Sequence, residues 1–232
     1  MAFPIHFELE GFKFKLPSFT LLTGPMAAAK PLFAQKFIAA ILNEGGEPRV
    51  FYFATSAPVE GILRNLEVFG LKRGREKITF FDYDPAIKEL KKEGDNYYKG
   101  DYSIPEMLKS IFELADENTI VVIPSFTLLL VNTERKEELV EVLVESIKDK
   151  NLTSFVAVNS DMLQNFNKKL ESACDNIMEF FKKEEQIFIK VTRFKGEYDA
   201  EEKEFKFAKE LFTTTQKEVA ERTSEMIRAR RS

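Results

Sequence analysis

Lys30 is the residue around which phosphate chemistry would be organised in this chain. It closes Leu21-Leu22-Thr23-Gly24-Pro25-Met26-Ala27-Ala28-Ala29-Lys30-Pro31, an apolar strand running into a helical pattern, with Gly24 and Lys30 at the spacing of a GxxxxGK[ST] phosphate loop. In such a loop, backbone N–H groups and the lysine surround the phosphates while the final hydroxyl holds Mg²⁺. Here Ala29 stands where the second glycine belongs and Pro31 where the hydroxyl belongs. Pro31 removes an oxygen ligand and a backbone N–H at once. The frame is kept, and Gly24, Pro25, Ala29, Lys30 and Pro31 read as a vestigial nucleotide-binding loop. From the residues alone the stretch also serves as a plain strand-to-helix connection, with Lys30 a solvated helix lysine and Pro31 a first-turn proline. Phosphate or nucleotide binding without hydrolysis is the other use it admits.

The elements that must position this loop follow from hydrophobic periodicity. After strand-like segments at Ile5–Leu9 and Phe12–Leu16, the core strands are Phe19–Thr23, Val50–Ala54, Ile78–Phe81, Thr119–Ile123 and Thr153–Val158. Helices are expected at Ala28–Leu42 (ended by Gly45-Gly46), Pro58–Phe69, Ile104–Leu114, Glu134–Ile147 (capped by Thr133) and Asp161–Leu170. Asp84–Asp101, rich in charge with Pro85, Gly94 and Gly100, reads as a weakly ordered or partly helical insertion. Ile177–Phe181 and Gln186–Thr192 form a late strand pair, with Glu204–Phe207 as a further antiparallel edge. A capping box at Thr215-x-x-Glu218 opens a C-terminal helix over 214–230. Strands alternating with helices require an α/β fold with a mostly parallel central sheet flanked by helices, and ligands then bind beyond the carboxyl ends of the strands.

The residues after each strand resemble the KaiC-like branch of the RecA superfamily of P-loop ATPases over nearly the whole length. Val50-Phe51-Tyr52-Phe53-Ala54-Thr55-Ser56-Ala57, followed by Phe69-Gly70, is similar to the family segment in which a strand ends at two adjacent glutamates. Val121-Val122-Ile123-Pro124-Ser125-Phe126-Thr127 resembles its Walker B strand, usually ending Asp-Ser-Leu-Thr. Glu171-Ser172-Ala173-Cys174-Asp175-Asn176-Ile177 resembles its late turn into a strand, and Thr192-Arg193-Phe194-Lys195-Gly196 its Lys-Met-Arg-Gly hairpin. The resemblance implies a RecA-like P-loop fold with a C-terminal antiparallel hairpin. It also implies that Ser56 and Ala57 occupy the places of the paired glutamates, one of them the family's general base, and that Pro124-Ser125 replaces the Mg²⁺-holding Asp-Ser. Arg193 and Lys195 fall where the family places basic residues that reach across a subunit boundary; as residues alone they also suit an ordinary charged hairpin. The alanine run 27–29 would suit an engineered loop, but losses at three separate strand ends read as natural release from catalysis.

Composition bounds the rest. At 232 residues the chain suits one domain, 1–232. One cysteine, Cys174, and one histidine, His6, leave no disulfide and no His/Cys metal site, so both read as structural. Charged residues at 31%, rich in Lys and Glu, together with 23 Phe, point to a heat-adapted microbe, and the resemblance to an archaeal one. With no basic-then-apolar leader and no apolar run of spanning length, a cytoplasmic protein without a membrane span is expected. The expected function is a catalytically inactive pseudo-ATPase without cofactor or metal. It would assemble as a homo-oligomer or with an active RecA/KaiC-like paralogue. A nucleotide or phosphate sensor, and a DNA recombination or repair accessory using the basic tail Arg222–Arg231, are the alternatives; the net charge of −4 speaks against extensive nucleic-acid contact.

Overall fold

The computed structural model describes residues 4–26, 29–45, 48–208 and 210–211. The first expected helical residue, Ala28, and the C-terminal helix expected at 214–230 lie outside them. Three apolar runs, β3 (Phe19–Thr23), β8 (Thr119–Ile123) and β9 (Thr153–Ala157), are buried at every position. β4 (Arg49–Ala54) is buried after its first residue. Strands that are apolar throughout belong between two layers of helix, and here they form the middle of a ten-stranded sheet. With β5 (Ile78–Tyr83), β6 (Lys91–Gly94), β7 (Tyr97–Gly100), β10 (Asn176–Lys183), β11 (Gln186–Arg193) and a short β13 (Glu202–Glu204), the order is β13-β11-β10-β3-β9-β8-β4-β5-β7-β6. From β10 through to β7 every pairing is parallel. β10 with β11 is the expected C-terminal antiparallel hairpin.

Successive residues of a strand serve opposite layers. Val50, Tyr52 and Ala54 join the core under α1 (Lys30–Asn43) and α2 (Val59–Val68). Phe51 and Phe53 join the core under α3 (Pro105–Glu113), α4 (Phe126–Val131), α5 (Lys136–Asp149) and α6 (Gln164–Ala173). A second, three-stranded sheet made of β1 (His6–Leu9), β2 (Phe12–Lys15) and β12 (Glu197–Tyr198) lays Phe7, Phe12 and Phe14 on Phe33 and Phe37 of α1.

Asp84–Asp101 is neither weakly ordered nor helical: it contains the β6–β7 hairpin, which widens the sheet beyond β5. Two tyrosines decide this. Tyr98 stacks on Phe81 with ring centroids 5.4 Å apart, and the Tyr97 hydroxyl donates to Asp82 at 2.7 Å. The lead-in is then held by buried Asp101, which accepts Lys88 Nζ at 2.7 Å. The expected Thr133 cap is displaced, because Thr133 Oγ1 accepts the Arg135 N–H at 3.2 Å and α5 starts only at Lys136. The outer edge strand is β13, and Phe205, expected within a strand, instead turns inward onto Phe33 and Phe180.

α1, β4 and α2 are joined by a buried polar chain. Asn65 Nδ2 donates to Gln35 Oε1 at 2.9 Å, and Gln35 Nε2 donates to the Tyr52 hydroxyl at 2.8 Å. All three side chains are buried. Removing the middle member takes a hydrogen-bond partner from both the Tyr52 hydroxyl and the Asn65 amide, at roughly 1–3 kcal/mol for each buried group left unsatisfied. Gln35→Leu is expected to lower the unfolding free energy by about 2–4 kcal/mol in denaturant titration, and the triple change Gln35→Leu, Tyr52→Phe, Asn65→Leu to recover part of that loss.

Candidate functional site at the carboxyl ends of the central strands

β3 ends at Thr23 and hands the chain to Gly24, whose φ of 141° and close approach to β10 exclude a side chain: an added Cβ would collide with the Phe180 carbonyl oxygen. Pro25 and Met26 are exposed. Ala29 then adopts the left-handed region, φ 57°, immediately before α1. That is the conformation a glycine takes freely and an L-alanine takes at a cost of roughly 1–2 kcal/mol. Ala29 therefore stands in a backbone conformation that favours glycine. Pro31 fits the first turn of α1.

Lys30 is not the solvated helix lysine that the sequence admitted. It is buried, and its Nζ donates to the carbonyl oxygens of Gly24 at 2.8 Å and Pro25 at 2.6 Å. Gly24 O also accepts the Ser160 N–H at 3.0 Å. Burial lowers the Lys30 pKa to about 8, against the opposing pull of the Asp161 carboxylate. Phosphate seats present N–H groups to an anion. This loop turns two carbonyl oxygens onto a cation of its own.

The adjacency of β3, β9, β8 and β4 brings the other strand ends into one row. Ser56 and Ala57, both half-buried, follow β4; Ala57 packs against the α1–α2 core and Pro58 precedes α2. Pro124 is buried at the end of β8, and half-buried Ser125 opens α4. After β9, Asn159 N–H donates to Thr127 Oγ1 at 2.9 Å, and Asn167 Nδ2 holds the Asn159 and Met162 carbonyls at 2.9 and 3.0 Å. This turn delays α6 to Gln164 and sets Asp161 near Lys30. Asn159–Asp161 were missed as site residues; the only signal was their place after a core strand.

Arg193 and Lys195 lie apart from this row, at the amino end of the parallel strands. Arg193 Nη1 donates to the carbonyls of Glu171 at 2.6 Å and Cys174 at 3.1 Å, closing the end of α6. Lys195 Nζ donates to Pro17 O at 3.0 Å and lies 3.7 Å from Asp175. Cys174 is buried, its thiol pushed up to about 12 by burial, whereas His6 is exposed on β1.

A magnesium–nucleotide, which the resemblance would place beyond β3, needs hard oxygen ligands there. Two of the expected ligand positions carry prolines, and the loop carbonyls already hold the Lys30 ammonium. This donor set does not fit the ion.

The Lys30 environment sets a pH dependence. Its folded-state pKa lies below the unfolded value of 10.5, so between about pH 8 and 10.5 the unfolded chain binds more protons and stability rises with pH. Lys30→Met is expected to remove that rise, a difference on the order of 3 kcal/mol at the upper end of the window, measured as wild type minus variant in denaturant titrations at pH 7.5 and 10.

No family model matches the chain, and no curated protein is a significant match. Among solved structures, the flagellar accessory protein FlaH from Methanocaldococcus jannaschii superposes with a TM-score of 0.59 at 11% identity, covering 82% of this chain and 85% of that one. A KaiC-like protein from the hyperthermophilic archaeon Pyrococcus horikoshii superposes with a TM-score of 0.59 at 16% identity, covering 84% and 88%. Among the described residues no helix is long and apolar enough to cross a membrane. At these identities the likeness speaks for architecture: the chain has the RecA-like α/β fold shared by FlaH and the KaiC-like protein.

Proposed function

We propose that this chain is a catalytically inactive RecA/KaiC-like protein that serves as a regulatory or structural assembly partner, by self-association or by pairing with an active paralogue. The observation that carries the reading is the Lys30 ammonium held by the Gly24 and Pro25 carbonyls. A phosphate entering the loop would have to displace both bonds, with no N–H from Pro31 to replace them. Ser56 and Ala57 offer no group able to take a proton from water near neutral pH, and Pro124 offers no carboxylate to a metal shell. One structural relative is described as a flagellar accessory protein, which agrees with an accessory role.

The reading requires that Mg·ATP leave the melting temperature of the protein unchanged. A ligand at 100 times its dissociation constant stabilises a fold by about 2.7 kcal/mol, well within reach of a thermal scan. A clear ATP-dependent shift, or turnover abolished by Lys30→Ala, would overturn the inactive reading.

An assembly role is tested through Arg193 and Lys195. Both are exposed while bonding within their own chain. Reversing both to Glu is expected to reduce the assembled mass by light scattering and to leave a folded monomer, since exposed charges contribute little to stability. A wild-type chain that is monomeric alone and also ignores an active paralogue contradicts the role.

A further inference from the structure

The turn that follows β9 meets the β3 loop on a single oxygen. Gly24 O accepts the Ser160 N–H at 3.0 Å and the Lys30 ammonium at 2.8 Å, so the turn and the first residue of α1 share one carbonyl. A third strand end joins through α4, where Thr127 Oγ1 accepts the Asn159 N–H at 2.9 Å. Asp161 draws on Lys30 from the same turn, its carboxylate raising the lysine pKa against the larger effect of burial. The other elements around Lys30 bring little charge. α4 and the described residues of the β3 loop carry none, and α6 carries none before Lys168. Glu179 of β10 lies level with Thr23, Lys36 of α1 is paired with Glu10, and the charge of Glu60 in α2 bears on Tyr97.

The turn is held against opposition. Leu163, like Ala29 before α1, enters its helix in the left-handed region, with φ 54°, which a side chain disfavours. The clamp on the turn is only half satisfied: Asn167 Nδ2 donates to the Asn159 and Met162 carbonyls, while its Oδ1 is buried and finds no partner among the described residues. Met162, within the turn, keeps 38% of its surface exposed. Against these costs stand the two bonds on Gly24 O and the attraction between Lys30 and Asp161. A charged donor makes the stronger hydrogen bond, so losing one proton from Lys30 weakens its hold on Gly24 and cancels its pull on Asp161 at once.

We propose that the Lys30 ammonium is the pin of a charge-operated latch: while charged it locks the Asn159–Leu163 turn to the β3 loop, and its discharge frees that turn. The fold as a whole gains stability as the buried charge is lost while the turn loses its anchor, so the local and global effects run oppositely with pH. The test is a carbonyl-detected ¹³C NMR titration of the full chain from about pH 7 to about pH 10, because carbonyl carbons stay readable where amide protons exchange with water. The Gly24 and Pro25 carbonyls are expected to titrate together at about pH 8, and those of Asn159 and Met162 to follow with the same midpoint. Lys30→Met is expected to abolish both responses and to leave Asn159 and Met162 near their positions in the alkaline wild type. Asn159 and Met162 signals that stay fixed while Gly24 titrates overturn the proposal, and so does a Gly24 signal that never titrates in this range. A response that survives in Lys30→Met overturns it too, since another group then works the turn. Should that variant not fold, agreement or disagreement of the two wild-type midpoints decides alone.

Discussion

Every residue of β3, β8 and β9 is buried, and that constraint organises the molecule. A strand covered on both faces has no room for an unpaired charge, so chemistry is displaced to the strand ends. Both layers of helix follow from the same requirement: α1 and α2 close one face, α3 to α6 the other. The parallel direction of the central strands then gathers Gly24, Ser56, Pro124 and Asn159 at one end although they are far apart in sequence. Even the polar residues of the interior serve this packing, as where Asn176 Nδ2 donates to Thr20 Oγ1 at 2.9 Å between neighbouring strands β10 and β3.

At the loop, two opposing influences leave Lys30 charged but weakly so. Withdrawal from water favours the neutral amine, and the Asp161 carboxylate favours the ammonium; withdrawal is the larger, which brings the pKa to about 8 rather than below neutrality. At neutral pH the buried cation is therefore retained, and the two loop carbonyls satisfy it. Ala29 runs against local preference: its backbone is left-handed immediately before α1, a conformation that glycine adopts more freely.

Most of the sheet was legible because its inner strands are apolar throughout, and a run such as Thr119–Ile123 admits few other placements. The β6–β7 hairpin was not, since Pro, Gly and charge dominate 84–96 locally, whereas the tyrosines that organise it act through Phe81 and Asp82 on another strand. α4 escaped notice for the opposite reason: Phe126–Val131 continues an apolar run without a break in periodicity. In the candidate site, the phosphate-loop frame was readable from spacing, but the burial of Lys30 was not. A lysine in a first helical turn is ordinarily exposed, and only the folded loop reveals the carbonyls that hold it. Asn159–Asp161 carry no motif and acquire meaning solely from the neighbouring β3 end.

Arg193 serves the fold from an exposed position. Its Nη1 closes the carboxyl end of α6, where a cation also complements the helix dipole, an effect worth typically 0.3–1 kcal/mol at an exposed site. The guanidinium has five N–H groups, and both of these bonds are made from Nη1. Anchoring one edge holds the long side chain in a single orientation before any partner arrives, which lowers the entropy cost of a contact made by the other edge. Lys195, fixed on Pro17 and beside Asp175, is restrained in the same way. An intrachain latch and a contact with a neighbour are thus not competing uses of this turn, because the first prepares the geometry that the second would require.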